Sequence, residues 1–368
     1  MAFSFVARSV STCLLGGLAA LMAAIPTSAA LAQQPSINSI PLLAPGEGKD
    51  VANRLAAMIE RQYVLPDVGA RYAAMLRANA AAGRYDRGNW KDLCDWLTGD
   101  LQAVHPDEHI RINVGPVPKG DQRAVGAGKL VPTEAGQWAA PGIAYLRLNR
   151  FSGQKANVLE IRNFLIAHRS AKTLILDLRE HRGGMFEEMD AIIPLLFARR
   201  TALLDMAMAK AIYDSDGPLI TSPSLERIKS APTLVVRRHY ANPDRLNHGL
   251  QRAQVVLLTS HRTASSAEHF ALALKRTHRA TLIGETTAGA NHFGGMVAIT
   301  DRFNVYLPIG RTYDPVTGED WEAKGIRPQV AVAPADALKI ALERSGVAPR
   351  QAAAISKRIE ARLSTPVD

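Results

Sequence analysis

Apolar residues recur at helical spacing through the first third of the chain, then give way to short buried-strand runs. Val51, Leu55, Met58 and Ile59 share one helical face, which Leu65-Pro-Asp67 interrupts. A second helix carries Tyr72, Met75 and Leu76 and ends near Gly83. Trp90, Leu93, Cys94, Leu97, Leu101 and Val104 form the sharpest stripe and predict a third helix with Cys94 on its core face. Together they predict a small three-helix N-terminal domain over 46–114. Residues 115–141, rich in Gly, Pro, Lys and Gln, read as a connecting segment or a ragged hairpin.

From Gly142 the period changes. Ile143–Leu148 and Thr173–Leu178 read as strands, Val158, Ile161 and Leu165 mark a helix, and another lies near Phe186–Phe197. A weakly patterned stretch spans 200–232 and is expected to shape a substrate cleft as an irregular lid. Strands resume at Leu234–Val236, Val255–Thr259 and Thr281–Ile283, and a helix follows near Ala335–Glu343. This alternation predicts an α/β fold with a layered core of parallel strands over 142–345, and a polar C-terminal tail over 346–368.

The first 32 residues read differently. Arg8 is a lone early cation, Leu14 to Ile25 is a short apolar core, and Ala30-Leu-Ala32 offers a small-residue cleavage site. The pattern is that of a secretory signal peptide, too short to span a bilayer, with no transmembrane anchor expected after cleavage. Roughly 335 residues would remain, enough for one large domain and a smaller one. Cys13 lies in the leader, so Cys94 would be alone and unable to form an internal disulfide. Export without a disulfide predicts a periplasmic or secreted bacterial protein. The net charge of +10 is scattered rather than clustered, which argues against nucleic-acid binding.

Four places carry candidate chemistry. At Leu258-Thr-Ser-His-Arg-Thr-Ala-Ser-Ser-Ala-Glu-His-Phe270 a strand meets a helix at Ser265. Backbone N–H groups and the positive helix end converge there, which suits a nucleophile whose adduct carries an oxyanion. The same pattern suits a plain N-cap at Ser265 or Thr263. In His105-Pro-Asp-Glu-His109, a histidine at a helix exit suits a general base, and a loop histidine without a role fits equally. The His-x3-His spacing lacks a third ligand cluster, so no metal is expected. Asp177-Leu-Arg-Glu-His-Arg-Gly-Gly184 runs a buried strand into paired glycines, which let a backbone N–H approach a ligand or simply make a βα turn. Trp321-Glu-Ala-Lys-Gly-Ile-Arg-Pro328 offers a carboxylate able to orient a histidine, or a solvated loop glutamate.

Taken in order, these segments resemble the tail-specific, or C-terminal processing, serine peptidase superfamily, in its tricorn-core and interphotoreceptor retinoid-binding branch. The resemblance also takes in Leu101-Gln-Ala-Val104, Asp107-Glu-His109, Gly142-Ile-Ala-Tyr-Leu146, Ile283-Gly-Glu-Thr-Thr287, Gly310-Arg311 and Pro315-Val-Thr-Gly318. It implies a crotonase-like α/β core and a serine-type peptidase acting on a peptide or protein substrate through an acyl-enzyme. By the same resemblance Ser265 is the nucleophile, His109 the base and Glu322 its supporting acid. The N–H groups of Ser266 and of Gly184, in the Gly183-Gly184 pair, form the oxyanion hole. His292, Asn291 and His181 fall near the substrate cleft. No cofactor is implied, and the oligomeric state is not fixed.

The chain departs from the pattern in three ways. The processing branch uses a lysine base downstream of the serine, and here Ala290 stands in its place within Ala288-Gly-Ala-Asn-His292, which moves the weight to His109. The span from 110 to 142 is too short for a PDZ-like insert. His181 replaces the asparagine expected before Gly183-Gly184. An apolar-ligand carrier and a non-peptide serine hydrolase are the other functions open to the same scaffold.

Overall fold

Two sheets organise the structure, a computed structural model describing residues 40–107, 109–117 and 136–363. The expected leader lies outside the described residues, as does most of the 115–141 connection. Helices α1 (Glu47–Gln62), α2 (Pro66–Ala81) and α3 (Trp90–Val104) come first, followed by strands β1 (Arg111–Val114), β2 (Gln137–Ala140) and β3 (Ile143–Arg147). Next are α4 (Lys155–Ala167), β4 (Thr173–Asp177), α5 (Glu187–Leu196), β5 (Thr201–Ala209), α6 (Lys210–Asp216), β6 (Leu225–Ile228) and β7 (Leu234–Ala241). The chain continues through β8 (Gln254–Thr259), α7 (Ser266–Arg276), β9 (Ala280–Gly284), β10 (Phe293–Ala298) and β11 (Phe303–Tyr313). It closes with β12 (Val330–Ala331), α8 (Pro334–Arg344) and α9 (Pro349–Leu363).

One sheet runs β12-β9-β8-β4-β3-β2, with every pair parallel except β2 against β3. Its central strands are buried on both faces, which is why they read as continuous apolar runs. Leu174, Leu176, Val255 and Leu257 pack with Ile161, Ile192 and Phe270 from α4, α5 and α7. Ile175, Val256 and Leu258 face Leu338, Leu342, Ile355 and Ile359 from α8 and α9. The segment expected as a polar tail therefore contains a packed helix, α9. Its buried positions, Ala352, Ile355, Ser356 and Ile359, make one narrow stripe on a helix that is otherwise polar, so its mean composition hid it.

The second sheet is antiparallel and joins β1, β11, β10, β5, β7 and β6. Helices α1 to α3 share a core with it, where Leu55, Leu76 and Leu97 meet Ile112, Phe303, Val305 and Leu307. Residues 200–232, expected to be an irregular lid, instead contain β5, α6 and β6. Strand β5 is buried along most of its length, so its Leu, Met and Ala residues show no alternation.

The parallel order has one consequence for chemistry. The connections after β3, β4, β8 and β9 all leave the same carboxyl edge of the sheet, where open α/β sheets hold their sites. That edge collects Phe151, Gly183-Gly184, Ser265 and the 285–292 segment.

Candidate active site

Ser265 occupies the N-cap position of α7, with φ 57° and ψ −124°. A non-glycine residue in this region is strained and needs its neighbours to hold it. The turn before it is pinned from three sides. Thr263 Oγ1 donates to the Leu178 carbonyl at 2.8 Å, Ser260 Oγ donates to the Arg179 carbonyl, and Ala264 N donates to the His181 carbonyl at 3.0 Å. Thr263 thus fixes the turn and is not the helix cap.

The Gly-Gly loop after β4 presses directly on this turn. A Cβ on Gly183 would stand 2.8 Å from Ser265 Cβ and 3.1 Å from Ser266 N, and one on Gly184 would stand 1.8 Å from the Phe151 carbonyl oxygen. Both glycines also have positive φ, 94° and 135°. No other residue fits here. His181, the substitute for asparagine, is fully buried, and its Nδ1 accepts the Gly183 N–H at 3.0 Å. Burial, with the Arg150 charge, lowers its pKa to about 3, so the ring is neutral and its Nδ1 lone pair is available. Among the described residues, the N–H groups of Ser266 and Gly184 donate to no protein acceptor.

Glu268, one turn into α7, is a residue to which sequence reasoning assigned no role. Its buried carboxylate accepts from Ser265 N (2.8 Å), Thr287 Oγ1 (2.5 Å), Gly289 N (2.7 Å) and Ala290 N (2.9 Å). The Ser-x-x-Glu spacing of a capping box was the available signal. The next two residues of the same segment turn to another carboxylate: Asn291 N and His292 N both donate to Glu322 Oε2 at 2.8 Å. Asn291 is held in turn by Thr312, through Nδ2 to the carbonyl (2.6 Å) and from the Thr312 N–H to Oδ1 (2.8 Å). Residues 287–292 are therefore one strap stretched between Glu268, which holds Ser265, and Glu322.

Glu322 Oε1 lies 3.1 Å from His109 Nδ1. His109 is partly exposed, between the end of α3 and β1. Asp107 is fully buried beside it and accepts the His109 backbone N–H at 2.9 Å, Tyr63 Oη–H at 2.7 Å and His292 Nδ1 at 2.8 Å. Burial alone would lower the His109 pKa, but the carboxylates of Asp107 and Glu322 hold it up to about 9. Burial alone would likewise raise Asp107, yet contacts with His109, His292 and Tyr63 hold it far below the carboxylate range. Tyr63 is pushed well above its ordinary value by burial and by Asp107.

His105, the alternative base, caps α3 and accepts Tyr72 Oη–H on its carbonyl at 2.7 Å. The expected lack of a third metal-type ligand needs correction. Asp107, His109 and Glu322 bring ligand atoms within 4.8 Å of one another, across a sequence gap no spacing rule spans. Asp107 Oδ1 and Oδ2 and Glu322 Oε2 already accept protein hydrogen bonds, so the three residues belong to one hydrogen-bonded cluster.

A comparison with family models matches residues 142–332 to peptidase family S41. The chain belongs to that family. Among curated relatives, it is 26% identical over 226 residues to the chloroplastic C-terminal processing peptidase of Tetradesmus obliquus, covering 61% of this chain and 41% of that one. It is 26% identical over 198 residues to the carboxy-terminal processing protease CtpA of Bacillus subtilis, covering 54% and 36%. The chain thus spans less than half the length of these relatives. A solved lipoprotein structure from Streptococcus agalactiae superposes with a TM-score of 0.51 at 16% identity, covering 83% of this chain and 97% of that one, a likeness of fold. The S41 match is consistent with the mixed α/β architecture seen here. Among the described residues, no helix is long and apolar enough to cross a membrane.

Proposed function

We propose that this chain is a serine peptidase with a crotonase-like core, acting in the periplasm or outside the cell on peptide or protein substrates. Ser265 attacks the scissile carbonyl, and His109 takes its proton and returns it to the leaving amine. With His109 Nδ1 committed to Glu322, Nε2 is the nitrogen for that transfer. The Ser266 and Gly184 N–H groups stabilise the oxyanion, and water then hydrolyses the acyl-enzyme.

The observation that carries the reading is the strap, 287–292, whose N–H groups run between the carboxylate that holds Ser265 and the carboxylate that pairs with His109. Labelling with a fluorophosphonate probe, read by peptide mass spectrometry, tests it. Label is expected on Ser265 and absent in Ser265→Ala. A folded protein that takes no label would instead favour a ligand carrier.

A further inference from the structure

The triad leaves one buried carboxylate unused. Asp107 stands on the same Nδ1 side of the imidazole as Glu322, with its Oδ1 3.7 Å from His109 Nδ1, while Glu322 Oε1 is at 3.1 Å. The first distance is too long for a direct hydrogen bond, so Asp107 acts on the ring through its charge and through its bond to the His109 backbone. Its other oxygen is clamped by Tyr63 and by His292, a ring 1% exposed. A buried carboxylate held by three protein donors stays ionised.

We propose that Asp107, fixed by Tyr63 and His292, is a positioning residue for His109: a second counter-charge that orients the ring and raises its affinity for the proton taken from the nucleophile. The proposal rests on His109 being the base. Among the described residues, the other groups near this ring are Glu322, the His292 ring at 6.5 Å and the Tyr306 ring at 6.0 Å; Asp320, which accepts the Glu322 N–H, is itself paired with Arg311. Of these groups, Asp107 and Glu322 carry the negative charge that raises the proton affinity of His109. The base is then set by a pair of acids, one supplied two residues away and one 213 residues away.

The test is a histidine titration by NMR on the full chain carrying Ser265→Ala, with 13C at imidazole Cε1 and the His109 signal assigned through His109→Gln. Asp107→Asn is expected to lower the His109 midpoint by about one pH unit or more. An unchanged midpoint in the folded variant overturns the proposal. If Asp107→Asn does not fold, Glu322→Ala asks the same question without placing an amide donor at Nδ1, because Asp107 is then the only carboxylate beside the ring among the described residues. The midpoint must stay above the ordinary value of about 6.5, and a fall to that value or below overturns the proposal. In the active chain the acid limb of kcat/KM should move down with the NMR midpoint. These titrations need no turnover, so a failure of the peptidase reading appears separately, as missing fluorophosphonate label on Ser265.

Discussion

His109 and Glu322 meet at 3.1 Å although 213 residues separate them, and the glutamate's second oxygen is taken by two consecutive backbone N–H groups. The carboxylate is thereby fixed before it ever contacts the imidazole. The substitution Glu322→Gln keeps an oxygen for the strap but turns an amide N–H donor toward His109 Nδ1, which stabilises the wrong tautomer. The variant should therefore fold normally and lose kcat by ~10²–10⁴-fold with little change in KM. Steady-state kinetics beside a circular dichroism melt separate this from simple unfolding.

The pH profile carries the sign of the His109 shift. A general base must be unprotonated, and this imidazole holds its proton up to about pH 9. Activity on a peptide or ester should rise with pH and level off only above that value, measured as kcat/KM at constant ionic strength. An acid limb near the ordinary histidine value of about 6.5 would contradict the geometry. The same shift acts on stability. Its contribution is fully present below about 6.5 and is lost as pH rises through about 9.

Three other histidines act in the opposite direction. His181 and His239 are held neutral down to about pH 3, chiefly by burial, and His269 is lowered well below its ordinary value. His239 Nδ1 on β7 and His269 Nε2 on α7 share a 2.8 Å contact. The unfolded chain protonates all three below about 6.5, so stability falls as pH drops through that value, by about 1.4 kcal/mol per histidine per pH unit. Urea denaturation at pH 7 and pH 5.5 should show a clear loss of midpoint at the lower pH, and replacing His269 by Phe should shrink it.

Much of this was legible in the sequence where the signal is local. The helical stripes, the runs that became β3, β4 and β8, and the Ser265 junction all follow from periodicity and turn chemistry. Strand β5 was not legible, because burial on both faces removes alternation. Strands β10 and β11 were missed because glycines and a proline interrupt them, and only pairing with each other and with β1 and β5 defines them. Within the site, Ser265, His109 and Glu322 came from motif order. The clamp of Tyr63, Asp107 and His292 joins residues from three distant segments, and no local pattern announces it.

Glu268 holds Ser265 as closely as Glu322 holds His109, at 2.8 Å and 3.1 Å. Glu268→Ala removes the acceptor for three backbone N–H groups and one hydroxyl, leaving buried donors unsatisfied at about 1–3 kcal/mol for each one that water cannot reach. The strained φ of Ser265 loses its restraint at the same time. The variant should melt markedly lower and label slowly with fluorophosphonate even at temperatures where it is folded. Normal labelling by the folded variant would show that the strap does not position Ser265.

Tandem serines at 265 and 266 make the assignment of the nucleophile a sharp test. Ser265 is half-buried at the cap, whereas Ser266 is 7% exposed and its hydroxyl has no hydrogen-bond partner among the described residues. Only the Ser266 backbone N–H enters the proposed chemistry, and alanine keeps it. Removing an unpaired buried hydroxyl is neutral or slightly stabilising. Ser266→Ala should retain wild-type turnover and melt at the same temperature or higher, while Ser265→Ala should be folded and inactive. The reverse outcome, a dead Ser266→Ala and an active Ser265→Ala, would move the nucleophile by one residue and place it inside the first turn of α7. There its side chain starts from a buried helical position, and the positive φ at Ser265 would be left without a function.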